Sequence, residues 1–406
     1  MKTNLIPVYK QSPQGQDAEA ILRKCVHCGF CTATCPTYQA LNDERDGPRG
    51  RIYLIKEMLE GNELTDKTRT HLDRCLTCRA CETTCPSGVE YGRLIDFARG
   101  EVEKKLSRPL LERTLRWCLR AILPRRKLFG FLLKLGRIFQ PVLPKVLSSK
   151  IPPRKTANNP WPVSAHPRVM LALAGCAQPT STPNTNVSAA RVLDKLGITL
   201  VEESKAGCCG AVNYHLGAHD EGLDYMRQNI DAWWPAVEAG VEAIVMTASG
   251  CGAMVQDYGH ALKHDEHYAK KAKRVSELTK DLTEVLLAED LNLLALEENN
   301  KTGKVSVHCP CTLQHAMKQN GAIETILIRA GITLAETTDK HLCCGSAGTY
   351  SILQPKISQK LLSNKLKALT GDNPAIIVTA NVGCQMYLET KANIPVQHWI
   401  ELLDQN

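Results

Sequence analysis

The sequence predicts a multidomain protein in which an all-α domain is followed by a duplicated α/β body rich in cysteine. Three observations carry that reading. Two cysteine runs of identical spacing stand fifty residues apart within the first hundred residues, among segments of helical periodicity. From Arg168 onward the chain repeats itself, with short apolar strands alternating with helices in both copies. Between the two regions lies a basic, amphipathic stretch that ends in prolines. The expected divisions are residues 1–100, 101–166, 167–297 and 304–406, and a chain of 406 residues is long enough for several domains with their own cores.

The first run is Cys25, Cys28, Cys31 and Cys35 before Pro36, and the second is Cys75, Cys78, Cys81 and Cys85 before Pro86. Each reads C-x2-C-x2-C-x3-C-P, the bacterial ferredoxin pattern that holds a 4Fe–4S cubane. Three closely spaced thiolates wrap a tight loop around three irons; the fourth, beyond a turn, ligates the other cubane in two-cluster proteins. The pattern therefore predicts one cluster on Cys25, Cys28, Cys31 and Cys85, and a second on Cys75, Cys78, Cys81 and Cys35. Zinc is the rival metal, but a zinc site takes four N/S ligands and needs only paired CxxC units. Eight ligands with trailing prolines favour iron. Two clusters side by side predict the passing of single electrons.

Around these runs the chain is strand-poor. Asp17–Lys24 is a short helical run into the first loop, and Arg51–Glu60 places Ile52, Ile55 and Leu59 on one helical face. Another helix, about Thr65–Arg74, follows Gly61-Asn62. The pattern resembles the helical ferredoxin domain of iron–sulfur subunits of respiratory dehydrogenases.

Residues 101–166 form the basic connector. Leu110, Leu111, Leu115, Trp117, Leu119, Ile122 and Leu123 recur at helical spacing, interleaved with Arg113, Arg116 and Arg120. Pro124 breaks this helix, Leu128–Phe139 gives a second amphipathic piece before Pro141 and Pro144, and Pro152-Pro153 to Pro160-Trp161-Pro162 reads as a linker. Glu101–Lys155 holds fifteen lysines and arginines against three glutamates, an excess of +12, which leaves −4 for the remainder of a chain with net charge +8. A basic excess confined to one segment argues against a general nucleic-acid binder. Two readings stand open: a face that lies on anionic lipid or a partner subunit, or two ordinary helices packed on the protein's own core with solvated arginines outside. Cys118 is expected to be a buried structural thiol in either case.

In the repeat, Val169–Ala174 leads to Cys176, and Val305–Val307 leads to Cys309-Pro310-Cys311. After a helix come Gly197-Ile198-Thr199-Leu200 in one copy and Gly331-Ile332-Thr333-Leu334 in the other, then Cys208-Cys209-Gly210 and Cys343-Cys344-Gly345. Long helices follow, then buried strands Ala243–Thr247 and Ile376–Thr379, leading to Cys251 and Cys384. Mostly parallel sheets are expected, and the cysteines fall just past strand ends, where open α/β sheets place their sites. Cys176 precedes Cys208 by 32 residues and Cys311 precedes Cys343 by 32, so each half supplies four cysteines in register, with Cys309 outside it. Adjacent cysteines point opposite ways in a regular strand. Each Cys-Cys-Gly is therefore expected to be an irregular turn in which glycine frees the backbone, and two neighbouring thiolates at one site suggest more than one metal.

The candidate ligands of this body are Cys176, Cys208, Cys209 and Cys251 in the first half and Cys311, Cys343, Cys344 and Cys384 in the second. They resemble the cysteine-rich CCG domains of heterodisulfide-reductase-type subunits, whose C…CCG…C-x-x-C pattern holds a non-cubane iron–sulfur cluster. The sequence departs from that pattern at Ala248 and Asn381, where the final CxxC would begin. The resemblance implies one or two further clusters, and a structural or zinc-holding cysteine nest is the rival reading. His215, His308 and His315 stand near these cysteines, as tuners of potential through hydrogen bonds to sulfur or as plain core or solvated imidazoles. Trp233-Trp234 is read as packing.

The opening residues lack the apolar core of a signal peptide, so clustered cysteines read as metal ligands in a reducing cytoplasm. No run of eighteen apolar residues predicts a membrane span. Neither a G-x-G-x-x-G after a strand nor a G-x-x-x-x-G-K-[ST] is present, so no flavin or NAD is expected on this chain. A redox chain without a hydride acceptor needs a partner that has one.

Across almost its whole length the chain is similar to the iron–sulfur subunits of bacterial glycolate oxidases (glycolate dehydrogenases). The resemblance runs through Cys25–Pro36, Gly47–Tyr53, Cys75–Cys78, Ala174–Pro179, Gly207–Ala211 and His308–His315. It implies a non-flavin subunit of an oxidoreductase complex that cannot oxidise substrate alone. Flavoprotein partners would oxidise glycolate to glyoxylate, and this chain would pass the electrons to quinone or another respiratory acceptor, on the inner face of the cytoplasmic membrane. Subunits of anaerobic glycerol-3-phosphate dehydrogenase and of lactate-utilisation systems share the plan. A heterodisulfide-type catalytic subunit, or a metal-bearing scaffold without turnover, would fit the same cysteine pattern.

Overall fold

Ser12 opens the first long helix, α1 (Pro13–Lys24), by accepting the Gly15 amide, with Pro13 at the first helical position, where its missing N–H costs nothing. The second, α2 (Pro48–Leu59), also starts on proline and buries Ile52, Ile55 and Leu59 along one face. Helix α3 (Asp66–Asp73) is capped by Thr65, and α4 (Tyr91–Lys105) buries Leu94, Ile95, Ala98 and Val102 at helical spacing. The computed structural model describes residues 1–142, 155–156, 159–294 and 303–404. Up to Lys105 every described element is helical. These helices share one apolar core with Cys25, Cys75 and Cys81, so the cysteine loops are part of the packed interior. Pro144, Pro152-Pro153 and the expected division at Glu297 lie outside the described residues.

The connector forms α5 (Leu110–Ile122) and α6 (Arg126–Phe139), separated at Pro124. Two arginines of α5 turn inward. Arg116 is buried against Asp73 at 3.1 Å, and Arg120 reaches Glu221 at 3.5 Å. Arg108, just ahead of α5, is buried on the same Asp73 at 2.7 Å. The acidic anchor therefore claims the arginines, and Leu110, Leu111, Leu115 and Trp117 are left exposed, with Leu111 at 88%. On α6, Phe131, Ile138 and Phe139 are exposed as well. Of the two readings of this segment, the one that packs the apolar face and leaves the arginines in solvent fails for Arg116 and Arg120 and holds for the exposed Arg113, Arg125 and Arg126. Cys118, expected to be buried, is half-buried on α5.

The body holds two parallel sheets. The first has β1 (Arg168–Ala172), β2 (Ile198–Glu202), β3 (Ile244–Met246) and β4 (Thr279–Asp281) in the order β2-β1-β3-β4. The second has β5 (Val305–His308), β6 (Ile376–Thr379) and β7 (Val396–His398) in that order. The repeated phrase is a full strand in the first half only. In the second it makes one parallel bridge, Val305 with Leu334, and the chain leaves the sheet where the Glu336 amide is taken by Asp372 at 3.0 Å. The halves share a core that includes Val192, Ile198, Leu286, Val305, Ile326 and Trp399. Across it, the Ser249 amide donates to the Ala380 carbonyl at 3.0 Å, and His398 Nε2 lies 2.8 Å from the Thr247 carbonyl. Among the described residues no helix is long and apolar enough to cross a membrane.

Candidate metal centres

Both ferredoxin-type loops use the same backbone device. In the first, His27 and Gly29 have φ of 55° and 87°; in the second, Thr77 and Arg79 have 52° and 60°. Positive φ is an outlier for a β-branched threonine, and such strain of about 1–3 kcal/mol per residue persists where the surroundings impose it. Arg99 is part of those surroundings. Its guanidinium donates to Thr77 Oγ1 at 2.8 Å and to the Leu72 and Cys75 carbonyls at 3.0 and 2.6 Å. The Thr77 amide consequently points at the Cys75 sulfur, 3.4 Å away. Gly29 is required for space as well, since a Cβ there would stand 2.8 Å from the Arg49 guanidinium.

The loops exchange their fourth cysteines. Burial and the neighbouring Cys25, Cys85 and Cys28 sulfurs push the Cys31 thiol up to about 11. Burial likewise raises Cys81, helped by Cys78, Cys75 and Cys35. The structure thus brings Cys25, Cys28, Cys31 and Cys85 together as one group, and Cys75, Cys78, Cys81 and Cys35 as another. The first group lines an open pocket of about 420 Å³ between Val26, Phe30 and Pro86. Cys28, Val26 and Phe30 are exposed there. All eighteen cysteines are free, so the gathered thiols are unpaired by disulfides and fit an iron–sulfur cluster in each group.

Behind the second group lies a charge network that the sequence did not reveal. Asp46 is fully buried and receives Arg74 at 2.9 Å, His71 at 3.0 Å and Arg51 at 3.5 Å. Arg51, itself buried, donates to Thr37 Oγ1, which lies 3.3 Å from the Cys35 sulfur. Arginines saturate Asp46, and the chain Arg51–Thr37–Cys35 carries positive charge toward a thiol expected to be a thiolate.

In the first half Cys176 follows β1, Cys208-Cys209 follow β2 and Cys251 follows β3; in the second Cys311 follows β5, Cys343-Cys344 follow the Leu334 bridge and Cys384 follows β6. In the first half the neighbouring Cys176 and Cys209 sulfurs, with burial, push the Cys208 thiol up, and the Cys208 and Cys251 sulfurs push the Cys209 thiol well down. In the second half the row is Cys311, Cys343, Cys344 and Cys384, with Cys311 and Cys343 sulfurs 3.8 Å apart. Both Cys-Cys-Gly segments are turns. Gly210 and Gly345 have φ of 85° and 86°, and each donates its amide to the first cysteine of its pair at 3.4 Å. A Cβ at either glycine would strike a carbonyl oxygen, of Gly222 at 2.6 Å or of Ser358 at 2.7 Å. Four sulfurs in a row, two from adjacent residues, suit a centre with more than one metal. Asn381 donates to the Cys384 sulfur at 3.4 Å. Cys309 faces the shared core.

The other singled-out residues divide. His215 bonds Asp96 of α4 at 2.9 Å; burial opposes its charge, but Asp96 lifts its pKa above the ordinary value, beside Cys209. His315 lies 3.0 Å from Thr83 Oγ1, joining the second half to the helical domain. Trp233 is core, and Trp234 donates to Glu238. The two cysteine regions meet where Cys78 and Cys311 flank an apolar cluster of Leu76, Cys343, Tyr350, Ile357 and Leu361.

A helical domain with two cysteine loops, joined to two α/β halves that each align four thiols, defines an iron–sulfur protein with duplicated cysteine-rich domains. Family models match in the same places: a 4Fe-4S dicluster domain over residues 21–89, and a cysteine-rich CCG domain over 170–256 and again over 305–389. The chain belongs to the family of glycolate oxidase iron-sulfur subunits. It is 55% identical over 405 residues to the glycolate oxidase iron-sulfur subunit of Escherichia coli K12, covering 100% of this chain and 99% of that one. It is 31% identical over 402 residues to the probable glycolate oxidase iron-sulfur subunit of Bacillus subtilis 168, covering 91% and 89%. Lactate utilization protein A of the same organism is 26% identical over 230 residues, 54% of this chain and 93% of that protein. Among solved structures, a hypothetical protein from Helicobacter pylori aligns with a TM-score of 0.57 at 9% identity, over 98% of this chain and 74% of that one, which is a likeness of fold.

Proposed function

We propose that this chain relays single electrons from a flavoprotein that oxidises a 2-hydroxy acid, with glycolate to glyoxylate as the leading reaction, to quinone or another respiratory acceptor. The observation that carries the reading is the line of thiol groups through the molecule. The Cys25–Cys85 group opens to solvent, the Cys75–Cys35 group lies inside it, and Cys78 stands beside Cys311 of the second half. In this reading Cys25, Cys28, Cys31 and Cys85 hold one 4Fe–4S cluster, Cys75, Cys78, Cys81 and Cys35 hold the other, and the two four-thiol rows hold further metal. Such clusters, when bound, exchange electrons one at a time. The chain supplies what surrounds them: strained loops that aim amides at sulfur, buried arginines that offset thiolate charge, and side chains that exclude water. The burial of Cys343, Cys344 and Cys384 disfavours disulfide-reducing chemistry, which needs a thiol in reach of substrate.

The exposed apolar side of α5 and α6, flanked by Arg125, Arg126 and Lys127, supports peripheral attachment to an anionic membrane surface at the cytoplasmic side.

The relay is tested by iron and labile sulfide content of anaerobically purified protein, followed by electron paramagnetic resonance of the assembled complex mixed with glycolate. About eight irons per chain corresponds to two cubanes, and about twelve to sixteen adds the thiol rows. Clusters that stay oxidised while the flavin is reduced would refute the relay.

A further inference from the structure

The second half carries a donor that the first lacks. His308 ends β5, three residues before Cys311, whereas three residues before Cys176 stands Leu173. The His308 side chain has 0% exposure, and neither Nδ1 nor Nε2 has a hydrogen-bond partner. A neutral imidazole has one N–H donor and one acceptor lone pair, and each left unmatched in the interior costs about 1–3 kcal/mol. A leucine, which the first half uses at the same place, would avoid that cost. The orphaned nitrogens have an evident direction. A ring nitrogen of His308 and the sulfurs of Cys344 and Cys384 all lie within 4.8 Å of one another, and all three residues are buried.

Two neighbours define the donor set further. Asn381 stands where a C-x-x-C would supply another thiolate, and it donates a hydrogen bond to Cys384, so it serves as a donor to sulfur. Lys365 is buried nearby, tied to the Asp339 and Lys340 carbonyls at 3.1 and 3.0 Å, and places its positive charge beside Cys343 and Cys344. A buried cation at that place suits thiolates.

We propose that His308 is a metal ligand, binding a thiophilic transition metal through a ring nitrogen together with the thiolates of Cys344 and Cys384. The second half then holds a centre of mixed nitrogen and sulfur ligation, while the row in the first half is sulfur alone. This deepens the proposed function and rests on metal being held by the thiol rows. His308 adds a neutral donor to the same number of thiolates that the first half supplies, and so brings none of the further negative charge with which a fifth thiolate would lower the reduction potential.

The test uses the full chain, purified anaerobically, with and without 15N-histidine. Pulsed electron paramagnetic resonance is expected to show a histidine nitrogen coupling that falls to baseline in His308→Leu. His308→Cys is expected to keep the metal, lose the coupling and lower the potential of that centre. Absorption edges distinguish iron from zinc, and a zinc edge with a nitrogen neighbour that disappears in His308→Leu supports the same ligand with the other metal. A histidine coupling undiminished in His308→Leu overturns the proposal. So does a chain that loses metal in Cys344→Ser but shows no histidine nitrogen at either metal. If Cys344→Ser loses no metal at all, the row holds none, and the underlying reading fails together with the ligand.

Discussion

Tyr350 donates its phenolic proton to the Arg74 carbonyl at 3.0 Å, joining residues 276 positions apart. Arg74 immediately precedes Cys75, and Tyr350 packs with Leu76 and Cys343. One hydrogen bond therefore fixes the second cysteine loop against the thiol row of the second half. Tyr350→Phe should cost about 1–2 kcal/mol, since it leaves a carbonyl without its partner. Metal content should be unchanged, and magnetic coupling between the adjoining centres should weaken. Unaltered stability together with unaltered coupling would show that this bond does not set the spacing.

Cys35 lies with Cys78 and Cys81, whereas Cys85 lies with Cys25 and Cys31. Cys35→Ser should therefore alter the spectrum of the centre on Cys75, Cys78 and Cys81 and leave the one on Cys25, Cys28 and Cys31 intact. Mössbauer spectra of the variant decide this, and a change confined to the first centre would reverse the crossing.

His398 ties the halves together by donating Nε2–H to the Thr247 carbonyl while accepting the Ile400 amide at Nδ1. Burial pushes its pKa down to about 4, although the Thr247 bond opposes that shift. Its ordinary value is about 6.5. Between those values the unfolded chain binds a proton that the folded chain refuses, so stability falls as pH falls. The contribution should be complete above about pH 6.5 and lost as pH drops through about 4. His398→Gln should flatten that part of the denaturation-versus-pH curve; parallel curves for the two proteins would rule out this titration.

The eight ferredoxin-type cysteines, the helices around them and the parallel halves were legible because spacing and periodicity act locally. Ile52, Ile55 and Leu59 form the buried face that their sequence positions imply. What faces what was not legible. The amphipathic pattern of α5 shows that it has two sides, but Asp73, far away in sequence, decides that Arg116 goes inward. The Gly331–Leu334 phrase matches a strand in composition, yet Asp372 draws the chain off the sheet just beyond it. The network around Asp46 draws in His71 and Arg74, 25 and 28 positions away, beyond the reach of a local motif. His308 carried a signal that could have been used: it replaces an aliphatic residue in an otherwise matched repeat.

Charge reversal at the exposed Arg125, Arg126 and Lys127 should release the protein from anionic vesicles without loss of iron. Added salt should weaken attachment of the parent protein, because screening reaches about 10 Å at 0.1 M. Leu111→Glu, placed on the most exposed leucine of α5, should release it irrespective of salt. Sedimentation with vesicles measures both. If all three proteins bind equally, the face belongs to a protein partner.

The relay makes one demand on kinetics that a structural role does not. Removing the hydrogen and its electron pair from a 2-hydroxy acid needs a two-electron acceptor, and a chain built around thiol-bound iron passes one electron at a time. The purified chain should therefore not oxidise glycolate, however fully loaded with metal. Cys78 stands where the second loop meets the second half, so its loss should interrupt transfer at that junction. In the complex assembled with Cys78→Ala, glycolate should still bleach the flavin at the parent rate, while steady-state quinone reduction falls at least tenfold. Stopped-flow absorbance and a quinone assay on the same preparation separate the two steps. Equal loss in both would place Cys78 in assembly of the complex, and turnover by the isolated chain without flavin would end the relay reading.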